Sequence, residues 1–182
     1  MVQKIVLTGA PSSGKSDIFR RIQADSRFAD FVFFDELARR LIDEGADMDD
    51  MRAFHLEAYR QQVAREETAE GKSFITDRGA LDFLIFNAGT FDAVDSSLER
   101  ELSRYTAVIH LASSATLGPG FYVADRLRPP TAGFAVEIEQ VIKKVWCAHP
   151  AYNYIASEKD YEAKATRALS LIAKLAGVDR MR

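Results

Sequence analysis

Apolar residues fall into two alternating kinds of run. Short continuous runs occupy residues 4–8, 31–34, 73–76, 107–111 and 152–156. Each reads as a strand, and 4–8 and 31–34, the most aliphatic and aromatic, have the composition of strands buried on both faces. Between them, apolar positions recur three or four residues apart. This spacing predicts helices over 15–24 (Ile18, Phe19, Ile22), 37–44 (Leu37, Ala38, Leu41, Ile42), 49–70 (Phe54, Ala58, Tyr59), 81–87, 95–104, 133–147 and 158–176 (Tyr161, Ala165, Leu169, Ile172, Leu175). Asp49 or Asp50 is placed to cap the third of these, and Gly71 to end it. Strand and helix alternate throughout, the pattern of a parallel sheet covered by helices on both faces. Residues 113–132 break it. This stretch carries Gly118, Pro119, Gly120, Pro129 and Pro130 and reads as a long loop.

Composition narrows the class. The chain has 182 residues, enough for one α/β domain spanning 1–182 with 113–132 as a lid segment within it. Its net charge of −3 gives no basic face for nucleic acid. No apolar run reaches the length of a membrane helix, and the N-terminal residues lack a signal-peptide layout. One cysteine, Cys147, excludes an internal disulfide and is compatible with a cytoplasmic location.

The first strand runs into Gly9-Ala10-Pro11-Ser12-Ser13-Gly14-Lys15-Ser16, a complete phosphate-binding loop between a buried strand and a helix. Its glycines let backbone N–H groups face phosphate oxygens, and the following helix adds its positive end. Lys15 is expected on the β- and γ-phosphates and Ser16 on Mg²⁺. A nucleoside triphosphate, ATP, is the expected ligand. Asp77 closes the third strand, where an acidic residue faces the metal or caps the next helix. Arg78 either stabilises the transferring phosphoryl group or serves an ion pair. Asp35 and Glu36 close the second strand, a place where one carboxylate caps the helix and the other accepts a substrate proton. Arg39 and Arg40 follow as surface charge or anion contacts. Arg126 and Arg128, in the 113–132 loop, are candidates for a lid that closes over ATP.

His55, His110 and His149 lack metal-ligand spacing, and His110, within a strand, reads as a core histidine. Trp146, Tyr152 and Tyr154 line either a base pocket or the core.

Four of these motifs, in order, resemble a bacterial family of P-loop ATPase/kinase domains that includes the NadR ribosylnicotinamide kinase domain. They are Pro11-Ser12-Ser13-Gly14-Lys15-Ser16, Glu36-Leu37-Ala38-Arg39, Asp77-Arg78-Gly79-Ala80-Leu81-Asp82 and Asp125-Arg126-Leu127-Arg128. Where the family carries Tyr-Asp before the fourth strand, Tyr105-Thr106 keeps only the tyrosine. The resemblance implies a nucleoside-kinase-like fold with strand order 2-3-1-4-5, ATP as donor and Glu36 rather than Asp35 as the base. NadR-type kinases are usually fused to an adenylyltransferase domain, which 182 residues do not accommodate, so nicotinamide riboside is not carried over. The expected activity is transfer of the ATP γ-phosphoryl group to a hydroxyl of a nucleoside-like or other small acceptor, with a homodimer allowed. The alternative is an ATPase or nucleotide-dependent switch without an acceptor.

Overall fold

The computed structural model describes residues 1–122 and 131–179. Five parallel strands form one sheet in the order β2-β3-β1-β4-β5. They are β1 (Lys4–Thr8), β2 (Val32–Phe34), β3 (Phe74–Asp77), β4 (Ala107–Leu111) and β5 (Tyr152–Ile155). The central β1 sets Leu7 beside Asp77 of β3 and Thr8 beside His110 of β4. The strand positions and their order agree with the sequence reading.

Alternation along the strands divides the core. Ile5, Leu7, Ile75, Ile109 and Leu111 face one side, against α1 (Lys15–Gln23) and α7 (Tyr161–Ala176). Val6, Phe74 and Val108 face the other, against Ile142 and Trp146 of α6 (Ala132–Trp146). Each such aliphatic side chain contributes roughly 1.5–3 kcal/mol when fully buried. A third cluster joins α2 (Leu37–Asp43), α3 (Met51–Glu67) and the turn after β3 through Leu37, Leu41, Phe54, Tyr59, Phe83 and Leu84. This annex stands beyond the carboxyl ends of β2 and β3, the side where ligands of parallel sheets bind.

Local chemistry sets the element ends. Asp50, not Asp49, caps α3 by accepting from the Ala53 amide at 2.9 Å. Asp160 caps α7, so that helix begins at Tyr161 rather than near Glu158. Ser97 caps α5 by accepting from the Arg100 amide at 3.2 Å, so that helix is confined to Leu98–Leu102 rather than starting near Asp95, which sits at φ 49°. The helix expected over 81–87 is a single 3₁₀ turn, Ala80–Phe83, with α4 (Thr90–Ala93) following later. The Thr90 hydroxyl lies 2.6 Å from the Leu84 carbonyl and 3.0 Å from that of Asn87. It competes for acceptors that further helical turns would use. The lid segment is not wholly irregular, because Ser114–Leu117 and Pro119–Phe121 form 3₁₀ turns. Asp125, Arg126 and Arg128 lie outside the described residues.

One side chain joins three parts of the fold. Buried Asp82 accepts from the Thr8 hydroxyl at 2.8 Å, the Trp146 indole at 2.8 Å and the Gly79 amide at 2.9 Å. Asp82→Ala leaves three buried donors unpaired, and a loss of about 3–5 kcal/mol in unfolding free energy is expected. Guanidinium unfolding measures it, and a loss below about 1 kcal/mol would show the network to be dispensable.

Candidate functional site: a phosphate loop facing an apolar cavity

The loop from Gly9 to Gly14 is held from outside by its carbonyl groups. Lys15 Nζ donates to the Gly9 carbonyl at 2.7 Å and to Ser13 Oγ at 3.0 Å, and lies 3.4 Å from the Ala10 carbonyl. The Ser113 hydroxyl bonds the Pro11 carbonyl, and the Ser114 amide bonds that of Ser12 at 3.0 Å. Lys164 Nζ bonds the Ser13 carbonyl at 2.7 Å and that of Ala112 at 2.6 Å. The Gly14 carbonyl takes the Ile18 amide at 3.1 Å and the Tyr161 hydroxyl at 3.3 Å. With these carbonyls engaged, the peptide N–H groups other than that of Ala10, which faces Glu139, are left for the hollow of the loop.

Two glycines are required by close approach. A Cβ on Gly9 would collide with the Leu111 carbonyl oxygen, and one on Gly14 would stand 2.6 Å from the Tyr161 ring. Both also have positive φ, as does Ser12 at 61°. Helix α1 starts at Lys15 with no side chain capping its amides, which leaves its N-terminal donors for an anion.

The sequence reading missed the support beneath the loop. Glu139 of α6 is buried, with Oε2 3.4 Å from the Ala10 amide and 3.2 Å from that of Ser113. Its other oxygen stands 3.0 Å from His110 Nε2, while His110 Nδ1 lies 2.7 Å from the Tyr152 hydroxyl. Burial alone would raise the Glu139 pKa. His110 and the two amides outweigh it and hold the carboxyl below its usual range. His110 and Tyr152 thus belong to the core, and so does Trp146, whereas Tyr154 is exposed on the surface under Lys143.

The acidic side stands opposite. Asp77 is 2 % exposed, and its Oδ1 has no hydrogen-bond partner. Burial raises its pKa to about 6, with Lys15 opposing the rise and Glu36 adding to it. Arg78 is held at φ 73°, a strained conformation for a side chain of its size. Its amide donates to Leu7 at 2.9 Å, and its carbonyl accepts from Thr76 Oγ1 at 2.7 Å. The guanidinium points at Glu36, with Nε 3.3 Å from Oε1. Geometry separates the two carboxylates after β2. Glu36 is largely buried on Arg78, whereas Asp35 is exposed and tied 3.0 Å from Arg65 of α3. Neither side chain caps α2, contrary to the expectation that one would. Arg40 is an exposed partner of Asp35 at 3.8 Å.

Among the described residues, no cluster of three His, Cys, Asp or Glu side chains forms a self-sufficient metal site. The fit to Mg²⁺ rests on the unpartnered Asp77 oxygen, with exposed Ser16 as the other candidate ligand. Such a site takes its remaining ligands from phosphate and water.

A cavity of about 860 Å³ opens beside the loop. Pro11, Arg78 and Asp82 line its inner end, and residues of α2, α3 and α6 form its walls. No helix among the described residues is long and apolar enough to cross a membrane.

These features define a P-loop nucleotide-binding protein on the three-layer plan of the nucleoside kinases. Residues 4–164 match the sequence family described as an AAA domain, and the chain belongs to that family. No curated protein matches it in sequence. Two structures of deoxyadenosine kinase from M. mycoides share its fold with a TM-score of 0.62 at 14 % identity. One, with the products dCMP and a flexible dCDP bound, covers 94 % of this chain and 100 % of the kinase. The other, with bound dATP, covers 93 % and 98 %.

Burial lowers both loop ammonium groups to about 8, helped at Lys15 by Arg78 and at Lys164 by Lys15. Above that pH the folded protein has released protons that the unfolded chain still holds up to its ordinary lysine pKa. Stability therefore rises with pH between about 8 and 10, by on the order of 1–2 kcal/mol per lysine. Lys164→Met should flatten this rise in denaturant unfolding followed from about pH 7.5 to 9.5. Equal slopes in the two proteins would refute the assignment.

Proposed function

We propose that the protein is a kinase that transfers the γ-phosphoryl group of ATP to a hydroxyl of a small acceptor. The observation that carries this reading is a cavity lined by both Pro11 of the phosphate loop and Arg78, whose guanidinium holds Glu36 at 3.3 Å. A switch that passes phosphate only to water has no use for such a cavity beside its phosphate loop. The likeness in fold to deoxyadenosine kinase and the motif resemblance to the NadR kinase domain support the same direction.

In this reading the loop amides and Lys15 hold the β- and γ-phosphates. Ser16 and Asp77 would hold Mg²⁺, which would supply charge neutralisation on the phosphate oxygens. Glu36 accepts the proton of the acceptor hydroxyl as its oxygen forms a bond to the γ-phosphorus. The bond from that phosphorus to the bridging oxygen breaks, and ADP leaves. Arg78 lies beside the phosphoryl group in flight and stabilises its charge. Arg126 and Arg128 are assigned to a lid that excludes water. The reading places the protein in the cytoplasm, where ATP is supplied.

Glu36→Gln keeps the size of the side chain and removes its basicity. ADP formation with a working acceptor should fall by roughly 10²–10⁴-fold, while ATP affinity by calorimetry stays within about twofold. Asp35→Asn should leave both nearly unchanged. Full turnover in the Glu36 variant would discard it as the base.

A further inference from the structure

Resting on the kinase reading, the character of the cavity narrows the acceptor. Its walls beyond the inner end are mostly apolar and include buried Phe54 and Phe83 and partly buried Ile138. The lining continues outward through Met48, Met51, Phe86, Phe134 and Val141. These five are exposed, Phe134 by 51 %, and make up half of the large exposed apolar residues among those described. The other five lie elsewhere on the described surface, whereas these five share the lining of one cavity that reaches Arg78.

Among the described residues, polar groups along the path are few, and several of them are already engaged. Asp82 accepts from Thr8, Trp146 and Gly79. The Asn87 amide lies 2.6 Å from His55 Nδ1, and the His55 ring packs at 5.7 Å from that of Phe54 and 6.1 Å from that of Phe86. Thr131 Oγ1 accepts from the Phe134 amide at 3.2 Å as the cap of α6. Glu137 is exposed at the rim. A nucleobase brings several donors and acceptors on its edges. Burying them here breaks these bonds or leaves the base unpaired.

We propose that the acceptor is a lipophilic alcohol rather than a nucleoside: an aryl or alkyl body lies among Phe54, Phe86, Phe134 and Ile138, and its hydroxyl reaches Glu36 and Arg78. The phosphoryl group passes from ATP to that hydroxyl, the hydroxyl proton goes to Glu36, and ADP and the anionic phosphomonoester of the apolar alcohol result.

The test compares two panels on the wild-type protein in the presence of Mg²⁺. One holds 2-(1-naphthyl)ethanol, 2-phenylethanol and 1-octanol. The other holds adenosine, deoxyadenosine, cytidine and thymidine. Binding is read by calorimetry with a non-hydrolysable ATP analogue, and transfer by ADP release with ATP. An apolar alcohol should bind at least roughly tenfold more tightly than any of the nucleosides. Phe134→Gln and Met51→Gln, both at exposed positions, should weaken that binding roughly tenfold and leave affinity for the ATP analogue unchanged. A nucleoside that binds as tightly as the best alcohol overturns the proposal, as do unaltered alcohol affinities in both variants. Tight alcohol binding without ADP release upholds the cavity's preference and instead refutes the kinase reading on which it was built.

Discussion

The site depends on the direction in which six peptide groups are turned. A loop that binds phosphate through its N–H groups must send its carbonyls the other way, and those carbonyls need donors of their own. Here the donors arrive from the start of the lid segment, from Lys15 and from α7. One of the costly ones is Lys164, an ammonium 3 % exposed beneath the loop. Its desolvation is offset by two short carbonyl bonds and by Glu139, which lies nearby with opposite charge. Helices α6 and α7 therefore do more than cover the sheet. Each sends one buried charged side chain to the loop, Glu139 toward an amide and Lys164 toward a carbonyl.

Asp82 plays the matching part on the acceptor side. By binding Thr8 and Gly79 together, it fixes the end of β1 to the turn after β3. A Cβ on Gly79 would be crowded, standing 3.0 Å from Tyr105 and 3.1 Å from Trp146. That turn carries Arg78 at positive φ and aims its guanidinium at Glu36. The strain at Arg78 is borne by a small buried network, in which the Tyr105 hydroxyl accepts from the Ala80 amide at 2.6 Å and donates to Glu66. The tyrosine kept in Tyr105-Thr106 holds this turn, and the threonine beside it binds the edge of β1 through the Lys4 amide at 2.8 Å.

Much of this was legible in the residue order, because strands and the phosphate loop are local patterns. The five short runs became the five strands, and the loop stands where its glycines and lysine predicted. What escaped was built from residues far apart in sequence. Nothing local marks Lys164 or Glu139, since one bonds a residue 151 positions away and the other a residue 129 positions away. Their helices carry them at apolar positions where a charge reads as an interruption. Asp82 was visible as part of a motif, but its three donors come from β1, its own turn and α6. The helix expected over 81–87 failed because a threonine outside the window takes its carbonyls. Asp35 and Glu36 could not be ranked by their order alone, and burial against Arg78 now distinguishes them.

The lysine of the loop has a consequence for which anions the protein admits. Lys15 spends its three protons on the Gly9 and Ala10 carbonyls and on Ser13. An incoming anion must replace those contacts before it gains from the charge. A lone inorganic phosphate brings few oxygens to that exchange and gains little by it. A polyphosphate reaches the amides of the loop with one group and Lys15 with the next, so the bonds surrendered are regained together. The internal bonding of Lys15 thereby favours a ligand with linked phosphates over a single phosphate ion.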